Sequence, residues 1–245
     1  MVVHRHHFLV ADEIMIIGEC NAKRPVFISK EYAPFYSTYE VEFTYYSGFA
    51  TVQKQKSIKN LHDKFLKNNC NKRIIEVSTK STDELGKKLS AFNLKIRTKK
   101  TEFSVETAFQ GSKVFEHGGP YFDLIKKDPF TVKKDPRLKN SGRIVEFNYF
   151  GRLFPTEPLD YFYNWLYINA LNLNEDLAKE ILNYDSFTDI EFNPNKSLNC
   201  QARACAIFVG LCKSDKLEEA LSTEQSFLKI LYPNFEEFNQ LRFNQ

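Results

Sequence analysis

The sequence predicts an α+β fold, with a small sheet and hairpins drawn mostly from the first half of the chain and a helix-rich C-terminal half. Three observations carry that expectation. Runs of β-branched and aromatic residues recur between positions 25 and 154. Apolar residues at helical spacing take over after Pro158. No repeat, low-complexity tract or linker interrupts the 245 residues, so both kinds of segment belong to one domain.

In order, Pro25–Ser29 and Tyr39–Tyr46 read as strands, the second in near-alternation, and Ser47-Gly48 breaks the run. Thr51–Lys67 follows as a lysine-rich helix whose Ile58, Leu61 and Phe65 are spaced for burial. Arg73–Val77 is a strand, and Thr82–Lys88 a short helix capped by Ser81 or Thr82. Leu94–Thr98, a polar turn at 99–102 and Phe103 make a hairpin; Ile144–Tyr149 and Arg152–Phe154 make a second around Phe150-Gly151. Helices are expected over Leu159–Leu171, Glu175–Asn183, Cys200–Cys212 and Ser222–Leu231, with a polar loop over Asp185–Asn199. The domain runs from 24 to 245, and residues 1–23 form an N-terminal extension.

Composition excludes several classes. At 42% hydrophobic, with 23 Phe and 12 Tyr, the chain can fill a core, yet no apolar run approaches the length a bilayer requires. Asp12 and Glu13 interrupt Phe8–Ile17, which argues against a signal peptide. Cys20, Cys70, Cys200, Cys205 and Cys212 form no Cys-x-x-Cys pair and read as reduced thiols of a cytoplasmic protein. His4, His6 and His7 read as a tail rather than a metal site, and no other motif calls for a metal or cofactor. The net charge of +3 hides an asymmetry: residues 1–156 carry 27 Lys/Arg against 17 Asp/Glu, and residues 157–245 carry 7 against 14. Three basic segments, 54–73, 95–100 and 126–143, would attract phosphates if they converged and would otherwise be ordinary solvated lysines.

The stretch Ser104-Val-Glu-Thr-Ala-Phe-Gln-Gly-Ser-Lys113 carries the densest chemistry. Read as one helix at about 100° per residue, it puts Glu106, Phe109, Gln110 and Lys113 on a single face, with Ser104 as N-cap and a glycine turn at 116–120 as terminus. A solvated face is the ordinary outcome for such a helix. Here it follows a hairpin directly, its other faces are small or apolar, and its glycine turn allows a ligand close approach. A second candidate is the loop 186–199, where Asp189, Glu191, Asn193 and Asn199 offer donors and acceptors and Arg203 lies in the helix beyond. The turn Leu89-Ser-Ala-Phe-Asn93 says little alone.

Together, Ser90-x-Phe92, a hairpin, Val105-Glu-x-Ala-Phe-Gln-x-x-Lys113 and a late Asp189 and Asn199 resemble the NADAR (YbiA-like) family over about residues 74–213. That family pairs a Ser-Asn-Phe turn with a Glu-x-Ala-Phe-Gln-x-x-Lys helix, then a late Asp-x-x-Trp-Gly and an Asn. This chain departs at Ala91, Phe192 and Asn193, which stand where the family has Asn, Trp and Gly. Arg24–Phe27, Gly48–Ser57 and Asn199-Cys-Gln-Ala-Arg203 further resemble the subgroup of antitoxins encoded beside DarT-type toxins that ADP-ribosylate guanine in DNA. Residues 24–73 would then be the subgroup's own N-terminal part.

The resemblance implies an N-glycosidase releasing ADP-ribose from guanine, with ADP-ribosylated DNA and a cognate ADP-ribosyltransferase toxin as partners. It implies Lys113 as nucleophile and Glu106 as acid/base. Asp189 would hold ribose hydroxyls or stabilise positive charge, with Ser90, Phe92, Asn93, Phe109, Gln110, Asn199 and Arg203 binding substrate. Phe92, Phe109 or Trp165 is placed to stack on a base, although core packing is the ordinary role for Trp165. The residues leave two other readings open: an N-glycosidase on small nucleotides, and a non-catalytic module binding a toxin or ADP-ribosylated DNA.

Overall fold

The early strand formers pair as read, and the computed structural model, which describes residues 19–194 and 199–235, makes both strands longer. β1 (Glu19–Ser29) and β2 (Tyr36–Tyr46) run antiparallel over 11 residues each. β1 thus begins inside the stretch set apart as an extension. His4, His6, His7 and the apolar run 8–17 lie outside the described residues. Strand alternation sends Val26 and Ile28 to one face of the sheet and Phe27 to the other. On the first face lies α1 (Thr51–Asn68), whose Ile58, Leu61 and Phe65 are buried as their spacing required.

The remaining elements are short. They are β3 (Ile74–Glu76), α2 (Glu84–Lys88), β4 (Lys95–Arg97), β5 (Glu102–Ser104), α3 (Val105–Gly111) and β6 (Lys113–Phe115). A 3-10 turn (Phe122–Lys126), α4 (Pro129–Val132) and α5 (Arg137–Asn140) occupy a stretch where no element was expected. The hairpin of β7 (Ile144–Tyr149) and β8 (Arg152–Phe154) appears where it was read, joined by β6 as a third strand. Then come α6 (Tyr161–Asn172), α7 (Glu175–Ile181), β9 (Ser186–Thr188), α8 (Gln201–Lys213), the unanticipated α9 (Leu217–Leu221), and α10 (Glu224–Leu231).

Three expectations need correction. The helix over 82–88 is capped by neither Ser81 nor Thr82; Asp83 Oδ1 accepts the Leu85 amide at 2.8 Å, so the helix starts at Glu84. The helix from Ser104 stops at Gly111, not at the glycine turn, because Lys113–Phe115 pairs with β7 instead. The loop 185–199 contains β9, a fully buried strand lying between β1 and β3 in the order β2-β1-β9-β3. It pairs antiparallel with β1 and parallel with β3, so Glu76 and Thr188 end side by side.

Opposite α1, the other face of the sheet packs on α8, which in turn packs on α6 in the main core. Ten of the twelve α6 residues are buried, so this helix is apolar all round and forms the centre of the domain. Its Tyr167 hydroxyl donates to the Leu89 carbonyl at 2.5 Å, and Trp165 packs against Phe154 in the core. Among the described residues, no helix is long and apolar enough to cross a membrane.

Gly210 on α8 lies against the loop joining β1 to β2, and a Cβ there would overlap the carbonyl oxygens of Lys30 and Phe35. Backbone cannot step aside, so Gly210→Ala should cost about 2–3 kcal/mol. Gly151, at φ +91° with nothing near its missing Cβ, should cost only about 1 kcal/mol as Ala. Urea denaturation midpoints compare the two; equal costs would contradict the packing explanation.

Candidate active site

The turn at 90–93 and the short helix after the hairpin are joined through the backbone. The Val105 and Glu106 amides, free at the start of α3, donate to Leu94 O at 3.0 Å and Ala91 O at 2.9 Å. Ser104 Oγ accepts the Thr107 amide at 3.2 Å, the expected N-cap. Every residue of α3 is buried, so its polar side chains must satisfy one another. They do so in a line: Lys113 Nζ donates to Gln110 Oε1 at 2.7 Å, and Gln110 Nε2 donates to Glu106 Oε1 at 2.9 Å. The ammonium needs an acceptor and the carboxylate a donor, which fixes the orientation of the Gln110 amide.

This line forms one wall of a cavity of about 350 Å³. Phe92, Phe109, Lys133, Tyr163, Asp189, Asn199 and Gln201 add to its lining. Lys133 Nζ lies 3.5 Å from Glu106 Oε1 and 4.7 Å from the centre of the Phe92 ring, which stacks on the exposed Phe130. The first and third basic segments thus each bring a lysine to this region. Lys54 pairs at 3.2 Å with Glu191, which lines the cavity beside Asp189. Much of the third segment's charge is spent locally, with Arg137 bound to Asp123 and Asp135.

Two ionisable groups here are displaced toward their neutral forms. Burial, the larger cause, and the nearby Lys133 charge push the Lys113 amine down to about 8 against the pull of Glu106. Burial and then the Glu76 charge push the Asp189 carboxyl up to about 8, although Glu191 N donates to its Oδ1 at 3.0 Å. At neutral pH the cavity therefore holds a partly neutral amine and a largely protonated acid.

Of the residues singled out by sequence, Glu106, Phe92, Phe109, Gln110, Lys113, Asp189 and Asn199 line this cavity. Lys113 does so from the start of β6, because the chain turns straight into a strand and keeps the side chain on the α3 side. Ser90 is buried behind the wall, its hydroxyl 3.5 Å from Gln201 Oε1. Asn93 is not in the cavity: its amide donates to Lys87 O at 2.8 Å, and it faces a separate cleft lined by Lys95 and Arg97. Arg203 points away as well, paired at 2.8 Å with Asp160 and lying over Tyr36. On a helix, two residues separate Gln201 from Arg203, and about 200° of rotation sends them to different faces.

Sequence reasoning passed over Lys133, Tyr163, Gln201 and Glu76. Gln201 ties the site together, accepting the Ala91 amide at 2.7 Å and donating to Val77 O at 2.6 Å, and also hydrogen-bonds Asp189. The signal for Lys133 was its place in the third basic segment. Tyr163 had none, being one aromatic among many on α6. Among the described residues, no group of three His, Cys, Asp or Glu side chains is arranged to hold a metal ion.

A family model, DarT1-associated NADAR antitoxin, matches residues 22–240. No curated protein matches the chain.

Asp189 also affects stability. An unfolded Asp loses its proton near 3.8, whereas the folded one holds it to about 8, so the native state binds more protons between those values. Its contribution is complete below the lower value and is lost as pH rises through the upper one. Asp189→Asn has nothing to ionise, and its melting temperature should fall less between pH 4 and pH 8 than that of the wild type. Parallel thermal-denaturation profiles would contradict the assignment of this buried carboxyl.

Proposed function

The chain belongs to the DarT1-associated NADAR antitoxins, and from that premise we propose that its cavity hydrolyses the bond between ADP-ribose and guanine in ADP-ribosylated DNA, reversing the toxin's modification. The observation that carries this reading is the Lys113 amine, held to about 8 and hydrogen-bonded through Gln110 to Glu106. An amine that is partly neutral at physiological pH is a competent nucleophile toward an anomeric carbon.

In the proposed reaction the Lys113 lone pair forms a bond to the anomeric carbon, and the electrons of the carbon–guanine bond leave with the base. Glu106 takes a proton from the Lys113 nitrogen of the adduct and passes it to the departing guanine. The remaining N–H proton passes to the ring oxygen as its bond to C1 breaks, giving an open-chain Schiff base. Water, losing a proton to Glu106, adds to the imine carbon, that proton goes to the nitrogen, and collapse of the carbinolamine releases ADP-ribose and restores the amine. Asp189, protonated, holds the ribose hydroxyls. A neutral acid stabilises positive charge poorly, which favours this role over the other. Lys133, half-exposed beside Phe92, faces the anionic part of the substrate.

Lys113→Met should abolish release of ADP-ribose from guanine-modified DNA by at least about 10³-fold while raising thermal stability, because a desolvated charge is removed. Borohydride should trap a sugar adduct at Lys113 in the wild type. Full turnover by the variant would end the nucleophile assignment, and absence of any turnover by wild-type protein at limiting concentration would favour a binding module.

The pH dependence has a defined shape. Activity should rise as Lys113 loses its proton, with an apparent pKa about 8, and fall as Asp189 loses its own in the same range. A narrow bell in kcat/KM centred near 8 is expected; a flat profile from about pH 6 to 9 would contradict both roles.

A further inference from the structure

We propose that Glu76 is a positioning residue for the reaction, its carboxylate clamping the residues on either side of Asp189 and so fixing where that side chain points. The inference rests on the reading above, in which Asp189 holds the ribose. Asp189 is the first residue beyond β9, where the strand ladder no longer constrains the chain. The parallel pairing of β3 with β9 sets Glu76 opposite Thr188. From there one oxygen, Oε2, accepts the Thr188 hydroxyl at 2.6 Å, and the other, Oε1, accepts the Ile190 amide at 2.8 Å. Thr188 and Ile190 are the two neighbours of Asp189 in sequence. A group with two acceptor oxygens can hold both; a hydroxyl or an apolar side chain cannot.

The clamp continues into α1. Thr188 Oγ1, donating to Glu76, is 2.8 Å from His62 Nε2, from which it accepts a hydrogen bond. Burial pushes His62 down to about 4, so at neutral pH the imidazole is uncharged and offers its Nε2–H. Glu76 itself is only 2% exposed and is held by hydroxyl and amide donors, with Ser78 adding another. Burying a carboxylate without a cation is costly. An amide in its place could keep both contacts, since the Thr188 hydroxyl can accept from it and donate to His62 Nε2 once the neutral imidazole carries its proton on Nδ1. Burial pushes the Glu76 carboxyl up as well, so the two acids titrate as a pair, and what Glu76 adds is a shared negative charge that favours protonation of Asp189. The other groups around the pair are Glu191 with its partner Lys54 of α1, Tyr163 and Tyr167 of α6, and Cys200, Gln201 and Cys205 at the start and in the body of α8.

The test compares wild type with Glu76→Ala, Glu76→Gln and Thr188→Val on guanine-ADP-ribosylated DNA. Glu76→Ala should lower kcat roughly 10- to 100-fold with KM little changed. Glu76→Gln should restore kcat to within a few-fold of wild type, while the alkaline limb of the pH profile moves about one unit lower as Asp189 loses its charged neighbour. Wild-type kcat in Glu76→Ala, or equal losses in both variants with an unmoved limb, would overturn the proposal. Should Glu76→Ala fail to fold, Thr188→Val carries the test: roughly tenfold lower kcat supports the clamp, and unchanged kcat refutes it.

Titrating the Asp189 carboxyl by NMR in wild type and Glu76→Gln needs no substrate. A shifted titration without wild-type turnover would support the charge contact between Glu76 and Asp189 and sink the proposed activity. Turnover with an unshifted titration would sink that contact, leaving kcat of Thr188→Val to decide the clamp.

Discussion

The rest of this structure follows from one constraint: an amine and a carboxyl must be kept where water cannot stabilise their charges. A lysine in solvent is protonated across the physiological range and cannot act as a nucleophile. Bringing it to about 8 requires burial, and burial requires that each polar group nearby be satisfied from within. The Lys113–Gln110–Glu106 line and the Gln201 bridge meet that demand. The dense aromatic packing behind it, with Phe109 in contact with Phe147, Phe162 and Tyr163, supplies the dry wall.

Architecture delivers these groups from distant parts of the chain. α3 starts where the β4–β5 hairpin ends, and its first amides are tied to the 90–94 turn, so helix, hairpin and turn move as one body. The cavity lining also depends on β9, which carries Asp189 off its end, and on the first turn of α8, which presents Gln201. The antitoxin family supplies the biological setting, while the geometry brings the amine and the acid into one cavity from separate elements.

Much of this was legible in the sequence, and for physical reasons. The β1–β2 alternation, the α1 spacing and the α3 motif are local patterns, and local patterns survive folding. The turn, the helix and Lys113 were therefore placed close together from the sequence, although Lys113 belongs to a strand. Where reading failed, the deciding contact was remote. Ser186–Thr188 looks polar and loop-like, yet it is buried because β1 and β3 supply its partners from far upstream. Asn93 and Arg203 matched motif positions but face elsewhere, since a motif fixes spacing and not the partner that captures the side chain. Glu76 and Tyr163 carried no local signal; their importance comes entirely from what folds against them.

The position of β9 in the sheet has a kinetic consequence. Its partners on either side are β1, near residue 28, and β3, near residue 75, while the strand itself is residue 187. During synthesis the β1–β2 hairpin and α1 can form early, but β1 and β3 must wait for most of the chain before the strand between them arrives. Such non-local pairing has high contact order, and its loop-closure entropy slows the search. Until then the facing edges of β1 and β3 are unpaired and prone to wrong partners. Because Asp189 follows directly on this strand, the lining of the cavity is completed only once the last strand of the sheet has found its place, and a chain stopped before residue 187 lacks that part of it.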